Sequence, residues 1–417
     1  PAMELTALVS TGTIYSTAND QFNAVEAEMA AEQALALARK LGDEPSEAKI
    51  YWNLLNMYRL SERPPQALES GERSLELARK NDLREQLAYT ANDMTHVYTS
   101  VGQPDKAWQT VDEAIAMWRE LGNRPMLADS LATASLLSTY NADYEKTVAL
   151  SDESYRISLE IENFWGQSYS RIAIGQLYWQ RGEPDRAIEA MSECVRLGEL
   201  AGFKVAPLFV GSSLGLVYAN LGAFEKALPL VRRAVAESRV TMPYYESVAL
   251  SILGQVLLLA GEMAQATVVF DELKAIKTSM EPLLELTVEE GKCRMLLAQR
   301  KPEQAVKSAR RLIEILRAGH GRLIVPTAMF LHGQALLASG QLEPAGDVLA
   351  QARVEAEQLA LDWPMWQILV TTAEVEEALG DVERAEEYRR QAREIFKGIA
   401  ERLPAGELRE PFLSRSF

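Results

Sequence analysis

A period of about forty residues constrains this chain more than any other feature of its sequence. One segment, GQLYWQRG at residues 175–182, reads as a small residue, a turn of helix, an aromatic residue and a closing glycine. Ala187 follows the closing Gly182 by five residues. Similar segments recur as GLVYANLG from Gly215, GQVLLLAG from Gly254 and GQALLASG from Gly333. A fixed period of this length predicts a repeat architecture in which each repeat is one supersecondary unit.

The closing position defines one anchor per unit, and ten anchors cover the chain. Successive anchors are 39 or 40 residues apart, and nine of the ten are followed five residues later by alanine, Thr147 being the exception. We therefore expect one continuous array over residues 1–417, with a capping segment at 403–417 where Pro404 breaks the register. The anchors are Phe22, Glu62, Gly102, Ala142, Gly182, Gly222, Gly261, Arg300, Gly340 and Gly380.

The columns of one unit predict two antiparallel helices. Apolar residues at helical spacing precede each anchor, and glycine suits the left-handed conformation that often ends a helix. Pro184 and Asp185 then form a favourable helix opening, because proline has no amide to leave unpaired and a carboxylate faces the positive helix end. Small residues at Gly175 and Ala187 allow the two helices to approach closely. The predicted fold class is all-α, an α-solenoid of about ten helix pairs.

Composition excludes several classes of partner. The net charge is −16, which disfavours nucleic acid because phosphate binding needs a basic surface. No apolar run reaches the roughly 20 residues of a membrane span. Cys194 and Cys293 do not make a disulfide framework, so both are interpreted as buried packing residues in a reducing, cytoplasmic compartment.

Motifs of catalysis and cofactor binding were sought and not found. The sequence contains no Walker-type loop, no dinucleotide-binding glycine motif, no zinc-protease motif and no nucleophile elbow. Only three histidines occur, His96, His320 and His332, far apart in sequence. The segment from Gly319 to Arg322 is interpreted as a turn. We therefore predict a protein that is not an enzyme and that needs no metal and no cofactor.

These columns resemble the tetratricopeptide repeat, whose pattern is a small residue, an aromatic residue, a helix-ending glycine and two alanines. They match it at Gly175, Tyr178, Gly182, Ala187 and Cys194. The standard unit has about 34 residues, so these units of about 40 are long. Long units resemble the C-terminal arrays of bacterial STAND- or AAA-type signalling regulators. The resemblance implies a right-handed superhelix, and an upstream ATPase or cyclase domain as an intramolecular partner.

In this family the first helix of each pair lines a concave groove that holds the ligand. Carrying those columns over predicts a groove of aromatic rings, which supply contact area, and amides, which orient a ligand by hydrogen bonds. The alternative is that the rings fill space between neighbouring helices. The acidic residues Glu374 and Glu377 of the tenth unit are interpreted as a solvated face. The predicted groove residues are Trp52, Asn56 and Arg59, then Tyr89, Asn92 and His96, and finally Tyr169, Gln176 and Trp179.

Two functional hypotheses follow from the resemblance. The first is a sensor or regulatory array that recognises a protein, a peptide or a small-molecule effector in its groove. The second is a free-standing adaptor that scaffolds a protein complex. A solenoid in which each unit touches only its neighbours transmits small rotations along its length, so ligand binding is expected to change the superhelical pitch.

Overall fold

The computed structural model describes residues 1–19, 21–61, 63–276, 282–318 and 321–414. The anchor Glu62, the turn residues Gly319 and His320, and the terminal Phe417 therefore lie outside the described residues. The described residues form helices and connecting turns, with no β-strand among them, and the all-α prediction is confirmed. Twenty long helices follow one another as ten antiparallel pairs, and a short helix follows the last pair.

The first five pairs are α1 (Ala2–Ser16) and α2 (Ala24–Leu41), α3 (Glu44–Leu60) and α4 (Pro64–Lys80), α5 (Arg84–Ser100) and α6 (Pro104–Leu121), α7 (Arg124–Tyr140) and α8 (Tyr144–Glu160), and α9 (Phe164–Gln180) and α10 (Pro184–Ala201). The next five are α11 (Gly211–Asn220) and α12 (Phe224–Thr241), α13 (Glu246–Leu259) and α14 (Met263–Ala275), α15 (Pro282–Ala298) and α16 (Pro302–Ala318), α17 (Val325–Ala338) and α18 (Leu342–Gln358), and α19 (Asp362–Leu379) and α20 (Val382–Arg402). The short helix is α21 (Arg409–Leu413).

The turn inside the third to the tenth pair is left-handed at the anchor position, whether or not the anchor is glycine. Six anchor glycines have positive φ, and Ala142 and Arg300 adopt the same conformation at φ 57° and 56°. At Gly182 the turn is closed by two backbone hydrogen bonds, from Gly182 N to Trp179 O (3.0 Å) and from Glu183 N to Tyr178 O (2.9 Å). This pattern satisfies carbonyls at the helix end that would otherwise lack partners. The first unit departs from it, since α2 begins at Ala24 behind an Asn23 cap.

Glycine at the small-residue column is required by the close approach of the two helices in a pair. A Cβ atom built on Gly175 would lie 2.7 Å from Met191 Cγ, and one on Gly215 would lie 2.4 Å from Val231 Cγ2. Real Cβ atoms do not approach other atoms this closely, so a larger residue would push the helices apart. The close approach seen at Gly175 and Gly215 agrees with the predicted reason for a small residue at this position of the repeat.

The sixth unit opens with a π-helical turn that its sequence pattern did not predict. Residues Ala206–Val210 form this turn ahead of α11, and Gly211 N donates to Ala206 O. Short π-helical segments occur often at functional sites. This one directs Phe209 into the cavity described below.

Contacts between units five apart contradict the expectation that each unit touches only its neighbours. Leu323 N, in the ninth unit, donates to Tyr140 O in the fourth (3.1 Å). Arg402 Nη1, in the tenth, donates to Gly182 O in the fifth (2.6 Å). Repeat columns record contacts between adjacent units only, so they carry no signal for contacts across a full superhelical turn. Successive turns of this superhelix stack directly on each other.

Contacts between units four or five apart also occur at both ends of the array. Leu60 of the second unit packs in one buried cluster with Leu208 of the sixth and Met242 before the seventh. After the tenth unit, α21 buries Phe412 against Phe396, with ring centroids 4.1 Å apart. The backbone of Pro411, in the same short helix, lies against Gly222 of the sixth unit. The terminal segment thus covers the last helix pair. It also contacts the sixth unit, which lies five repeats before the position that an eleventh unit would occupy.

Candidate functional site

The first superhelical turn encloses a cavity of about 520 Å³, here named the chamber. Its walls come from the first helices of units two to five, α3, α5, α7 and α9. Residues 17–19 of the first unit and residues 201–209 of the sixth close the ring, because units one and two contact unit six. The principal side chains are Trp52, Asn56, Arg59, Tyr89, Asn92, Asp93, His96, Asp129, Thr133, Trp165, Tyr169, Phe203, Phe209 and Tyr245.

Seven of the nine predicted groove residues lie around the chamber. They are Trp52, Asn56, Arg59, Tyr89, Asn92, His96 and Tyr169. Gln176 is partly exposed but does not line the chamber. Trp179 is 7% exposed and packs on Trp363 of the tenth unit, with ring centroids 3.9 Å apart. Trp179 lies at the end of α9 that faces the following superhelical turn, which explains its burial.

The first hydrogen-bond network in the chamber centres on Asp93. Its Oδ2 accepts from Trp52 Nε1 (2.6 Å) and from Asn56 Nδ2 (2.8 Å). Asn56 Oδ1 in turn accepts from Arg59 Nη2 at 3.3 Å. The second unit thereby fixes the position of a carboxylate that belongs to the third.

The second network repeats this arrangement one unit further along. Asn92 Nδ2, on the third unit, donates to Asp129 Oδ2 on the fourth at 2.7 Å. Asn92 is 3% exposed, and no residue in the described ranges donates a hydrogen bond to its Oδ1. Both networks link an amide to an aspartate 37 residues later. The sequence contains this spacing of 37 residues. The predicted groove was defined by aromatic rings and amides, however, and included neither aspartate.

Burial shifts the pKa values of the ionisable groups in the chamber. Desolvation, with the nearby charge of Asp93, raises the pKa of Asp129 to about 7. Desolvation, with the positive charge of Arg59, lowers the pKa of His96 to about 3. Burial also raises the pKa of Tyr169. At neutral pH His96 is therefore a neutral imidazole, Tyr169 a neutral phenol, and Asp129 is close to its midpoint.

Aromatic rings from several units form the rest of the wall. Trp165 lies 5.0 Å from Tyr169 and 5.2 Å from Phe203 between ring centroids. The Tyr169 hydroxyl lies 3.2 Å from Thr133 Oγ1 and 3.4 Å from His96 Nε2, so it joins the third, fourth and fifth units. These contacts hold the rings in defined positions around the carboxylates.

Trp52 and Tyr89 separate the chamber from a second, more open cavity of about 640 Å³ at the start of α3 and α5. Their ring centroids are 5.6 Å apart, and both side chains line both cavities. Lys49 and Arg84 line the outer cavity. Trp52 and Tyr89 therefore form part of the wall that the two cavities share.

Other kinds of site receive no support within the described ranges. No group of three or more potential metal ligands occurs among the residues that the structure describes. Cys194 and Cys293 are buried and free, and burial raises the pKa of each thiol to about 12, which keeps both protonated. No helix in this part of the chain is both long and apolar enough to cross a bilayer.

Comparison with known proteins identifies the repeats. A family model described as tetratricopeptide repeat matches residues 6–80, and a second model of the same description matches residues 169–197. No curated protein matches the chain.

Three solved structures show the range of structural similarity. A Rap protein complexed with competence and sporulation factor is 15% identical and has a TM-score of 0.55, with 86% of this chain and 99% of that chain covered. The Rap conjugation gene regulator of the plasmid pLS20 in complex with the Phr* peptide is also 15% identical and has a TM-score of 0.55, with 85% of this chain and 98% of that chain covered. A STAND protein with a tetratricopeptide repeat sensor from Pyrococcus horikoshii is 13% identical over 98% of this chain and 65% of that one, but its TM-score of 0.40 is too low to support an argument.

At these identities the likeness to the two Rap proteins concerns the fold alone. It agrees with the helix pairs, the repeated left-handed turns and the two family-model matches. Together these observations show an α-solenoid fold with tetratricopeptide repeats at residues 6–80 and 169–197.

Proposed function

We propose that this chain is a non-catalytic recognition module that binds a small molecule or one end of a peptide inside the chamber. The observation that carries this proposal is the closure of the first turn by units one, two and six around polar and aromatic side chains. A cavity of about 520 Å³ lies within the range of pockets for small ligands. A folded protein domain would not fit inside it, although a protein could present a side chain or a terminus.

The fold relatives support a peptide as one kind of occupant. Two Rap proteins of the same fold are described in complex with competence and sporulation factor and with the Phr* peptide. The seven predicted residues that line the chamber form the core of the proposed site. Gln176 and Trp179 stay outside this proposal, because neither lines the chamber.

The module is proposed to act as the sensor or regulatory region of a bacterial signalling protein in the cytoplasm. Ligand binding would link the first helices of units two to five with the residues of units one and six that close the chamber. An upstream ATPase or cyclase domain would then be the target of regulation. The free-standing adaptor is the alternative, and the native reading frame upstream of Met3 distinguishes the two, since only the regulator needs a catalytic domain there.

Native mass spectrometry of the full chain, purified from cells and incubated with cell extract, tests ligand recognition. We expect a retained small molecule or peptide that is lost in Trp52→Ala, because Trp52 lines the chamber and positions Asp93. The matched control is Trp108→Ala, a partly buried tryptophan outside the chamber. Retention of no ligand, or equal loss in both variants, would contradict the proposed site.

A further inference from the structure

Among the described residues, the two carboxylates of the chamber receive hydrogen bonds only from neutral donors. Asp93 accepts from an indole and an amide, and Asp129 accepts from an amide. Neither carboxylate forms a salt bridge with any residue in the described part of the chain. Each also keeps its Oδ1 atom free of hydrogen bonds from described residues. Elsewhere on this protein carboxylates are commonly ion-paired, as Glu290 is with Arg294 in the eighth unit (2.8 Å).

The charges of the chamber wall do not balance without an occupant when both aspartates are ionised. Arg59 supplies one positive charge, and His96 is held neutral by burial and by the charge of Arg59. Asp93 and Asp129 are close enough for the charge of Asp93 to oppose ionisation of Asp129. A second cation next to this pair would relieve that repulsion.

An independent observation beside the carboxylates also indicates a missing donor. Asn92 is almost fully buried, its Nδ2 is committed to Asp129, and its Oδ1 lacks a partner among the described residues. Leaving a buried amide oxygen unpaired costs about 1–3 kcal/mol, so such groups normally have a partner in the functional state. A ligand that carries several N–H groups could supply donors to Asp129 and to Asn92 Oδ1 together after a small rotation of the amide.

The aromatic wall matches the same chemistry. Trp52, Tyr89, Trp165 and Tyr169 surround the polar centre. Rings of this kind attract organic cations through their negative faces, most strongly where water is excluded. A metal ion would gain little from such rings, and the described residues offer no cluster of three ligands for one.

We infer that the chamber binds a ligand with a cationic nitrogen, a primary amine or a guanidinium group, between Asp93 and Asp129 and against the surrounding rings. The nitrogen donates to the free carboxylate oxygens and to Asn92 Oδ1. This inference rests on the proposed function and specifies the class of its ligand. The cation comes either from a free small amine or from a lysine, arginine or amino terminus of a peptide.

Isothermal titration calorimetry on the full chain at pH 8 tests this inference with defined probes. The small-molecule probe is 1,5-diaminopentane, and its neutral match is 1,5-pentanediol. The peptide probe is an end-blocked tetrapeptide that contains lysine, and its match contains norleucine. We expect at least one cationic probe to bind ten-fold or more tightly than its neutral match. Binding of the diamine assigns a free amine as the source, and binding of the lysine peptide alone assigns a peptide.

Two further measurements make the outcome independent of whether one variant folds. Asp129→Asn should weaken cation binding at least ten-fold, whereas Asp112→Asn, an exposed aspartate on α6, should leave it unchanged. In the unaltered protein at pH 7, cation binding should release a fraction of a proton from Asp129, measurable as a heat that depends on the buffer. The amount of proton released also depends on other ionisable groups that face this site, namely Arg59, Asp93, His96 and Tyr169.

The inference is overturned if neutral probes bind as tightly as cationic ones, if no cationic probe binds, or if binding releases no proton. Its failure is distinguishable from failure of the proposed function. A neutral or anionic ligand retained in the mass spectrometry experiment, and lost in Trp52→Ala, would uphold the recognition module while excluding a cation.

Discussion

Two places in the molecule bring aromatic rings of distant units together, and they differ in what lies between the rings. In the chamber, rings from units two to five surround open space and two carboxylates. Where the fifth unit meets the tenth, Trp179 packs on Trp363, and linked ring contacts join Trp363 to Trp366, Phe396 and Phe412, at centroid distances from 3.9 to 6.1 Å. The first arrangement can accept a ligand, whereas the second is a packed core.

The difference arises from position along the first helix. Trp52 lies in the middle of α3, facing the superhelix axis, and hydrogen-bonds to the next unit. Trp179 lies at the last turn of α9, facing the unit five repeats later. The middle of α3 thus lines the interior of the superhelix, whereas the last turn of α9 takes part in the contact between turns. Substitutions in the two regions should therefore change the free energy of unfolding by different amounts.

Trp363→Ala should cause the largest loss of stability. Trp363 is 6% exposed and contacts Trp179, Trp366 and Phe412. Removing a ring of this size from a packed site costs about 3–5 kcal/mol. Equilibrium urea unfolding should show that loss, while ligand retention by the remaining folded protein stays unchanged. Loss of less than about 1 kcal/mol would show that the contact between turns contributes little.

Alanine at two equivalent glycines tests the contact between turns with a built-in control. Gly182 and Gly102 occupy the same column with nearly the same φ, 69° and 71°. A Cβ on Gly102 meets no atom within 4 Å, but one on Gly182 would lie 2.8 Å from Asp362 Cβ and 2.9 Å from Ile399 Cγ1 of the tenth unit.

Gly102→Ala should cost about 1–2 kcal/mol from the left-handed conformation alone. Gly182→Ala should cost about 1–3 kcal/mol more, since the added atom also overpacks the contact with the tenth unit. Thermal and urea unfolding of both variants measures the difference. Equal losses in the two variants would mean that units five and ten are not in contact in solution.

Stability of the chamber region should depend on pH through Asp129. Its pKa in the fold, about 7, lies above the ordinary aspartate value of 3.8, so the folded state binds this proton more tightly than the unfolded state does. The resulting stability is fully present below pH 3.8 and is lost as pH rises through about 7. The slope is at most about 1.4 kcal/mol per pH unit. Asp129→Asn should remove this dependence on pH, which urea unfolding from pH 5 to 8 measures. An unchanged slope in the variant would show that Asp129 is not its source.

His96 should contribute the opposite slope on the acid side. Its pKa in the fold, about 3, lies below the ordinary histidine value of 6.5, so its contribution to stability is present above pH 6.5 and is lost as pH falls towards 3. His96→Gln keeps a polar side chain of similar size that does not titrate. Between pH 6.5 and 5 this variant should lose less stability than the unaltered protein. An equal loss would place His96 in a more solvated environment.

The sequence predicted the ten helix pairs, whose physical cause lies within one unit or between adjacent units, but not the π-helical turn at Ala206–Val210. Left-handed turns at Ala142 and Arg300 follow from the repeat register even without glycine, and the helix pairs follow from the small-residue column. Seven of nine groove residues were placed around one cavity for the same reason. The closed chamber and the burial of Trp179 depend on contacts five units apart. The aspartates were missed because charge on a helix usually indicates a solvated face.

The central claim is that units five apart touch and thereby close the first turn into a chamber. Small-angle X-ray scattering on the full chain measures this most directly. We predict a profile that fits the superhelix with its turns in contact, and that Trp108→Ala leaves unchanged. A profile that requires a longer superhelix, with its turns separated, would contradict the account, because the chamber would then be an open groove.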